Sequence, residues 1–198
     1  MRDFSPEIDF YFDSVKATLD ALDRSSINRF VEELLALRER GGTVYVFGNG
    51  GSAATAVHFY SDLLKGVSYG LKKRFRIQCF NDNVSAITCI ANDLSYTDVF
   101  SEPLKNFAKP GDMVVGISCS GNSPNVIKAV EYAKAQGLVT VGLGAYTGGK
   151  LQALSDVFIH AKVDSFEVSE DVHMVIIHLV KSLLMDALKS EYRDEAHP

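Results

Sequence analysis

The chain has 198 residues, 46% hydrophobic and 23% charged, proportions of a globular α/β protein that can bury a core, and they exclude a disordered chain. Its net charge of -5, from 20 Lys and Arg against 25 Asp and Glu, lacks the basic excess with which a bulk nucleic-acid binder neutralises phosphates, so no direct nucleic-acid partner is expected. Three scattered cysteines, Cys79, Cys89 and Cys119, argue against a disulfide scaffold or a zinc ribbon, and no apolar run reaches the roughly 20 residues of a membrane span. The Met1–Glu7 stretch is polar, with no signal-peptide apolar region, so the expected location is the cytoplasm.

Ser5 is the expected cap of a first helix, with Pro6 at its first position and Glu7 near the positive end of its dipole. Ile8, Tyr11, Phe12, Val15, Leu19 and Leu22 recur along it at helical spacing. A second helix is expected to start at Ser25 or Ser26, to carry Ile27, Phe30, Val31, Leu34 and Leu35 on one face, and to end at Gly41-Gly42. The apolar stripes of these two helices need cover, on their own domain or on a neighbouring subunit. The pattern then changes. Strands are expected at residues 43–47, 76–80, 113–117, 138–143 and 157–160. Helices are expected between them, over 52–64, 84–91, 97–107 and 123–136, with a last helix over about 169–188. Short unbroken apolar strands separated by helices predict an α/β fold: a doubly wound, five-stranded parallel sheet covered on both faces. No boundary divides the chain, so residues 1–198 read as a single domain with residues 1–41 as its leading helices.

Two strand ends carry unusual sequence. The first, Phe47-Gly48-Asn49-Gly50-Gly51-Ser52, follows a strand and opens a helix. Its glycines let the backbone turn and approach a ligand, and free amides at a helix start attract an anion. The second, Ser118-Cys119-Ser120-Gly121-Asn122-Ser123, joins a strand to a helix with three hydroxyls, a neutral, donor-rich cradle for a phosphate. Either loop alone also reads as a tight turn with Ser or Asn caps. Two at the ends of two parallel strands point to a ligand site. Asn49 and Ser52 depart from the dinucleotide fingerprint, and no Gly-Lys-Ser/Thr follows the glycines to make a P-loop.

Gly48-Asn49-Gly50-Gly51-Ser52, His58-Phe59, Ala91-Asn92-Asp93, Gly116 through Ser123, and Glu170-Asp171-Val172-His173 with His178 together resemble the sugar isomerase (SIS) domain family, over nearly the whole chain. The resemblance is to its phosphoheptose isomerases and to their non-catalytic relative that associates with the bacterial replication initiator. It implies a flavodoxin-like sheet, a homotetramer and a small phosphorylated sugar as partner. The activity implied is aldose–ketose isomerisation of sedoheptulose 7-phosphate to D-glycero-D-manno-heptose 7-phosphate. The alternative is a binding or scaffold protein that retains the phosphosugar cradle, or only the fold, and acts by contacting a protein partner. Ser118, Ser120 and Ser123 are the implied phosphate ligands, with Cys119 where threonine is usual. Asn49, Gly50, Gly51, Ser52, Asn92 and Asp93 are implied on the sugar side, with Glu170 beside them. Cys119 has no local base and reads as a small buried thiol.

By the same resemblance Asp62 is the candidate base and His178 the candidate acid. His58, Asp62, Glu170 and His178 are the candidate ligands of a zinc ion, a donor set that suits that metal. His58 and Asp62 share a helix face at four residues apart, and Glu170 and His178 lie eight apart, about 80° around their helix. Asp62 stands where the family pattern has glutamate, a reach shorter by about 1.3 Å. Glu170 stands where it has glutamine, and is expected to compensate as a ligand or as the base. Lys65 is the nearest substitute for an arginine of the pattern. Lys72, Lys73, Arg74 and Arg76 read either as a solvated strand entry or as a rim that steers phosphate.

Overall fold

In the computed structural model, which describes residues 2–192, the five apolar runs form strands β1 (Thr43–Gly48), β2 (Arg76–Cys79), β3 (Met113–Ser118), β4 (Val139–Gly144) and β5 (Val157–His160). Met1 and residues 193–198, the two ends of the expected domain, lie outside the described residues. All strand pairs are parallel and the order is β2-β1-β3-β4-β5. Every residue of β1 and β3 is buried, as a sheet covered on both faces requires. The pleat sends alternate side chains to two cores. Val44 and Val46 pack with Phe30, Phe59 and Ile176 on one face, Tyr45 and Phe47 with Phe100, Val126 and Leu151 on the other.

The helices are α1 (Ser5–Asp20), α2 (Arg24–Arg40), α3 (Gly51–Ser61), α4 (Val84–Asp93), α5 (Ser101–Phe107), α6 (Pro124–Ala135), α7 (Gly149–Leu154) and α8 (Phe166–Ala187). α2, α3 and α8 cover the first face; α5, α6 and α7 cover the second. The chain leaves β1 through α3 on one face and leaves β3 through α6 on the other. The loops after β1 and β3 therefore diverge at the point where strand order reverses, which opens a crevice beyond the carboxyl ends of the strands.

Several element ends differ from expectation for local reasons. Ser5 is inside α1, not its cap; its backbone N–H and hydroxyl both donate to Asp3. Asp23, not a serine, caps α2 by accepting from the Ser25 N–H, and the helix starts at Arg24. Gly41 ends it with φ 73°, the left-handed turn that glycine adopts without strain. The segment over 97–107 is broken into a 3-10 turn, Tyr96–Asp98, and α5. α7 is a turn and a half after Gly148, too short for a periodic signal. α8 starts three residues early because Ser165 accepts from the Val168 N–H. The expected helix over 52–64 runs on from α3 as a π-helical stretch, Asp62–Val67, and this wider turn carries Asp62.

The leading helices pack on α8, and the Tyr11 hydroxyl donates to Asp171 Oδ2 at 2.7 Å. α2 buries Ile27, Phe30, Val31 and Leu34 of its expected stripe, together with Leu37, and leaves Leu35 half-buried. α1 leaves more of its stripe uncovered: Ile8 is 51% exposed and Phe12 56% exposed. Among the described residues no helix is long and apolar enough to cross a membrane.

Candidate functional site

The loops after β1 and β3, with the start of α8, enclose a cavity of about 190 Å³ lined by Asn49, Gly50, Ser52, Ile117, Ser118, Cys119, Ser120, Ser123, Phe166 and Glu170. α3 begins at Gly51 and α6 at Pro124, so two helix N-termini face this crevice, a field that favours an anion. The structure brings Ser118, Ser120 and Ser123 together as the sequence predicts. Ser118 Oγ lies 3.0 Å from Ser123 Oγ, and Ser120 Oγ accepts from the Asn122 N–H at 3.2 Å. Cys119 is buried, with Sγ 3.9 Å from Ser52 Oγ.

Glycine is required at two places here. Gly121 has φ 64°, and a Cβ on it would lie 2.0 Å from the Gly148 carbonyl oxygen. That close approach seats the serine loop on the turn before α7. A Cβ on Gly51 would lie 2.0 Å from Glu170 Oε2, so the Glu170 carboxylate rests directly on the Gly51 backbone. Glu170 thereby puts a carboxylate at the Gly51 end of the cavity. There it can accept hydroxyl hydrogens, and it would repel a phosphate, which leaves the serine end for the anion.

Asn49 lines the cavity as expected, and its amide is also engaged in holding the loop. Its amide is paired with Asn125 in both directions at 2.9 Å, and its Oδ1 also accepts from the Tyr96 hydroxyl at 2.9 Å. The side chain clamps the loop after β1 to α6. Asn81 clamps the other side, donating to the Gly48 carbonyl and accepting from the Gly48 N–H. Neither Asn81 nor Asn125 was singled out from the sequence. The polar run Asn81-Asp82-Asn83, at the carboxyl end of β2, was the one signal that could have flagged Asn81.

The second constellation lies farther along α3 and α8. His178 Nε2 is 2.8 Å from His58 Nε2, and His58 Nε2 is 3.5 Å from Asp62 Oδ2. His58, Asp62 and His178 each offer a donor atom, all within 4.8 Å of one another. Two imidazoles and one carboxylate oxygen form a set that zinc accepts. The buried Asp62 Oδ2 has no hydrogen-bond partner among the described residues, so a lone pair is free to face that ion. Asp62 Oδ1 is held by Lys181 Nζ at 2.7 Å, an ion pair that the sequence reading did not anticipate.

Glu170 does not join this group. With its carboxylate on Gly51, it is not one of the three converging donors. The charge beside Asp62 is Lys181 instead. Asn92 and Asp93 end α4 on exposed positions, bonded to each other through Asn92 Nδ2 and Asp93 Oδ1, away from the cavity lining. Lys65 is exposed and sits 5.5 Å over the Tyr69 ring. The basic cluster cannot rim the cavity. Arg76 opens β2 beside Thr43, at the amino ends of the strands, and Lys73 pairs with Glu39. One further histidine is structural: His173 is fully buried, with Nε2 3.3 Å from the Gly144 carbonyl, and burial holds its pKa down at about 4.

The SIS domain family profile matches residues 10–145. The chain is 38% identical over 159 residues to a phosphoheptose isomerase of Fusobacterium nucleatum, covering 80% of each. It is 36% identical over 174 residues to a probable phosphoheptose isomerase of Thermoplasma volcanium, covering 88% of each. The solved phosphoheptose isomerase of Neisseria gonorrhoeae superposes with a TM-score of 0.85 at 27% identity, over 93% of this chain and 100% of that one. The Francisella tularensis structure, at 24% identity, gives 0.84 over 94% and 100% and attests the fold.

Proposed function

The chain belongs to the SIS domain family, and from that premise we propose that it is an aldose–ketose isomerase of phosphorylated sugars acting on sedoheptulose 7-phosphate. The observation that carries this reading is the convergence of His58, Asp62 and His178 within 4.8 Å, on α3, its π-helical continuation and α8, where α3 and α8 also present Ser52 and Glu170 to the serine-lined cavity. The relatives' activity supports the substrate class.

The isomerisation moves one proton between adjacent carbons through an enediol, and a second between the two oxygens. Ser118, Ser120 and Ser123 hold the phosphate, assisted by the two helix N-termini. Glu170 and Ser52 accept and donate along the sugar hydroxyls. Asp62 Oδ2, which has no other partner, takes the proton from carbon and returns it to the neighbouring carbon. His178 gives a proton to the carbonyl oxygen and recovers one from the adjacent hydroxyl, with His58 orienting its ring across the 2.8 Å contact. Held by His58, Asp62 and His178, a zinc ion would polarise the carbonyl oxygen and lower the barrier to enediol formation.

The described residues form one domain in this reading, supported by the packing of α1 and α2 on α8. The apolar groove lined by Leu19, Leu22, Ile27, Val175, Leu179 and Leu183, together with the uncovered Ile8 and Phe12, is covered by further copies of the chain in a homotetramer. A cytoplasmic location accords with heptose metabolism.

Incubation with sedoheptulose 7-phosphate in deuterated water, followed by NMR, tests the function. Deuterium beside the carbonyl together with aldose product is the expected result. Thermal protection by the sugar phosphate without exchange would overturn the isomerase reading in favour of a binding protein.

A further inference from the structure

We propose that Lys181 is a positioning residue for Asp62: it fixes one carboxylate oxygen so that the other faces the two imidazoles, and its charge weakens the hold of the same group on a divalent metal. The assignment rests on the reading of Asp62 as base. Four observations carry it. Lys181 Nζ donates to Asp62 Oδ1 at 2.7 Å, while Oδ2 is buried and unpartnered among the described residues. The Asp62 side chain is 8% exposed, so its direction is set by this bond and not by water. Lys181 and His178 lie three residues apart on α8, so one helix face delivers both the imidazole and the ammonium. The path of the lysine runs over Gly66, where a Cβ would lie 2.9 Å from Lys181 Cε; the π-helical stretch that carries Asp62 keeps this position open.

The chemistry follows from charge and geometry. A carboxylate with both oxygens free can grip a metal with either or both. With Oδ1 committed to an ammonium, Asp62 offers one oxygen, aimed at His58 Nε2 3.5 Å away. The ammonium also repels any cation placed among the three donors, and its attraction is little screened beside a buried carboxylate. The shorter reach of aspartate is matched by a tether that fixes where its free oxygen points. Metal assistance then becomes an aid to catalysis that the residues do not depend upon.

The test uses the full chain with Lys181→Met, which keeps the aliphatic length and removes the charge, and Lys181→Arg, which keeps the charge. Lys181→Gln replaces the Met variant if that protein does not fold. Zinc affinity is measured by competition with a chromophoric chelator, with no substrate present. The neutral variant is expected to bind zinc about tenfold to a hundredfold tighter than wild type, because the ammonium that repels a cation is gone, and the Arg variant to match wild type. After chelator treatment, the neutral variant is expected to lose about tenfold or more in kcat at unchanged KM, with Arg restoring most of it. Equal zinc affinity in the wild-type and neutral proteins overturns the assignment, and so does equal kcat after chelation. If none of the proteins turns over the sugar, the isomerase reading falls, and the zinc titration alone decides the role of Lys181.

Discussion

His178 Nε2 stands 2.8 Å from His58 Nε2, so helices α8 and α3 meet at one proton that only one of the two rings can donate. The rings are edge to face, with centroids 4.7 Å apart and planes at 82°. The tautomers of the two rings are therefore coupled, and both rings sit beside the free oxygen of Asp62.

Replacing His178 with Gln removes the candidate acid at an exposed position, so the fold should persist. The expected fall in kcat is about 10²–10⁴-fold, the usual share of a positioned acid or base. Solvent deuterium exchange reads it directly. A change smaller than threefold would remove His178 from the mechanism.

Gly51→Ala should displace the Glu170 carboxylate, because the new Cβ would lie 2.0 Å from Oε2 and 2.2 Å from Cδ. The expected outcome is weaker thermal protection by the sugar phosphate, with the unliganded melting temperature little changed. Adding Glu170→Ala to the same chain relieves the collision, so the two changes should be non-additive in binding. Protection equal to wild type in Gly51→Ala would show that Glu170 does not contact the sugar.

Stability should fall in mild acid through His173. Its folded pKa is about 4 against an ordinary 6.5, because burial disfavours the imidazolium. Between those values the unfolded chain binds the extra proton and the folded chain does not, so stability rises with pH across this window. The full contribution is present above about 6.5 and is lost as pH drops toward 4. The total is roughly 3 kcal/mol by the proton-linkage relation. Urea unfolding at several pH values should show this slope in wild type and a flatter one in His173→Leu.

Val175, Leu179 and Leu183 are 40% to 42% exposed, four residues apart along α8. Leu179→Asp places a charge in the middle of that stripe. Light scattering should report a smaller assembly for this variant at unchanged helical content. An unaltered mass would move the subunit contact elsewhere.

Much of the fold was legible because its signals are local. β1 and β3 are apolar without interruption, and the sheet buries both their faces. Gly41 ends α2 in the left-handed turn that its position predicted. The serine loop was legible for the same reason: six consecutive residues carry its hydroxyls and its glycine. Element ends were less so. Asp23 captured the start of α2 from the two serines after it, and Ser165 drew α8 back by three residues, because a cap is chosen by which side chain reaches a free N–H.

The sequence by itself determined the α/β class, the order of the elements, the hydroxyl-rich and glycine-rich loops at the strand ends and the residue types of the converging His58, Asp62 and His178. Tertiary structure alone decided which of those residues meet. Asn49 was set against Asn125, 76 residues away, and Asp62 against Lys181, 119 residues away. Glu170 went to Gly51 and not to the imidazoles, and the basic cluster around Arg76 went to the opposite end of the sheet. The physical reason is one of range. Periodicity and turn chemistry act over a few residues, whereas the crossing of α3 with α8 and the reversal of strand order at β1 and β3 are set by burial of the whole core, and they alone fix which distant side chains come within hydrogen-bond reach.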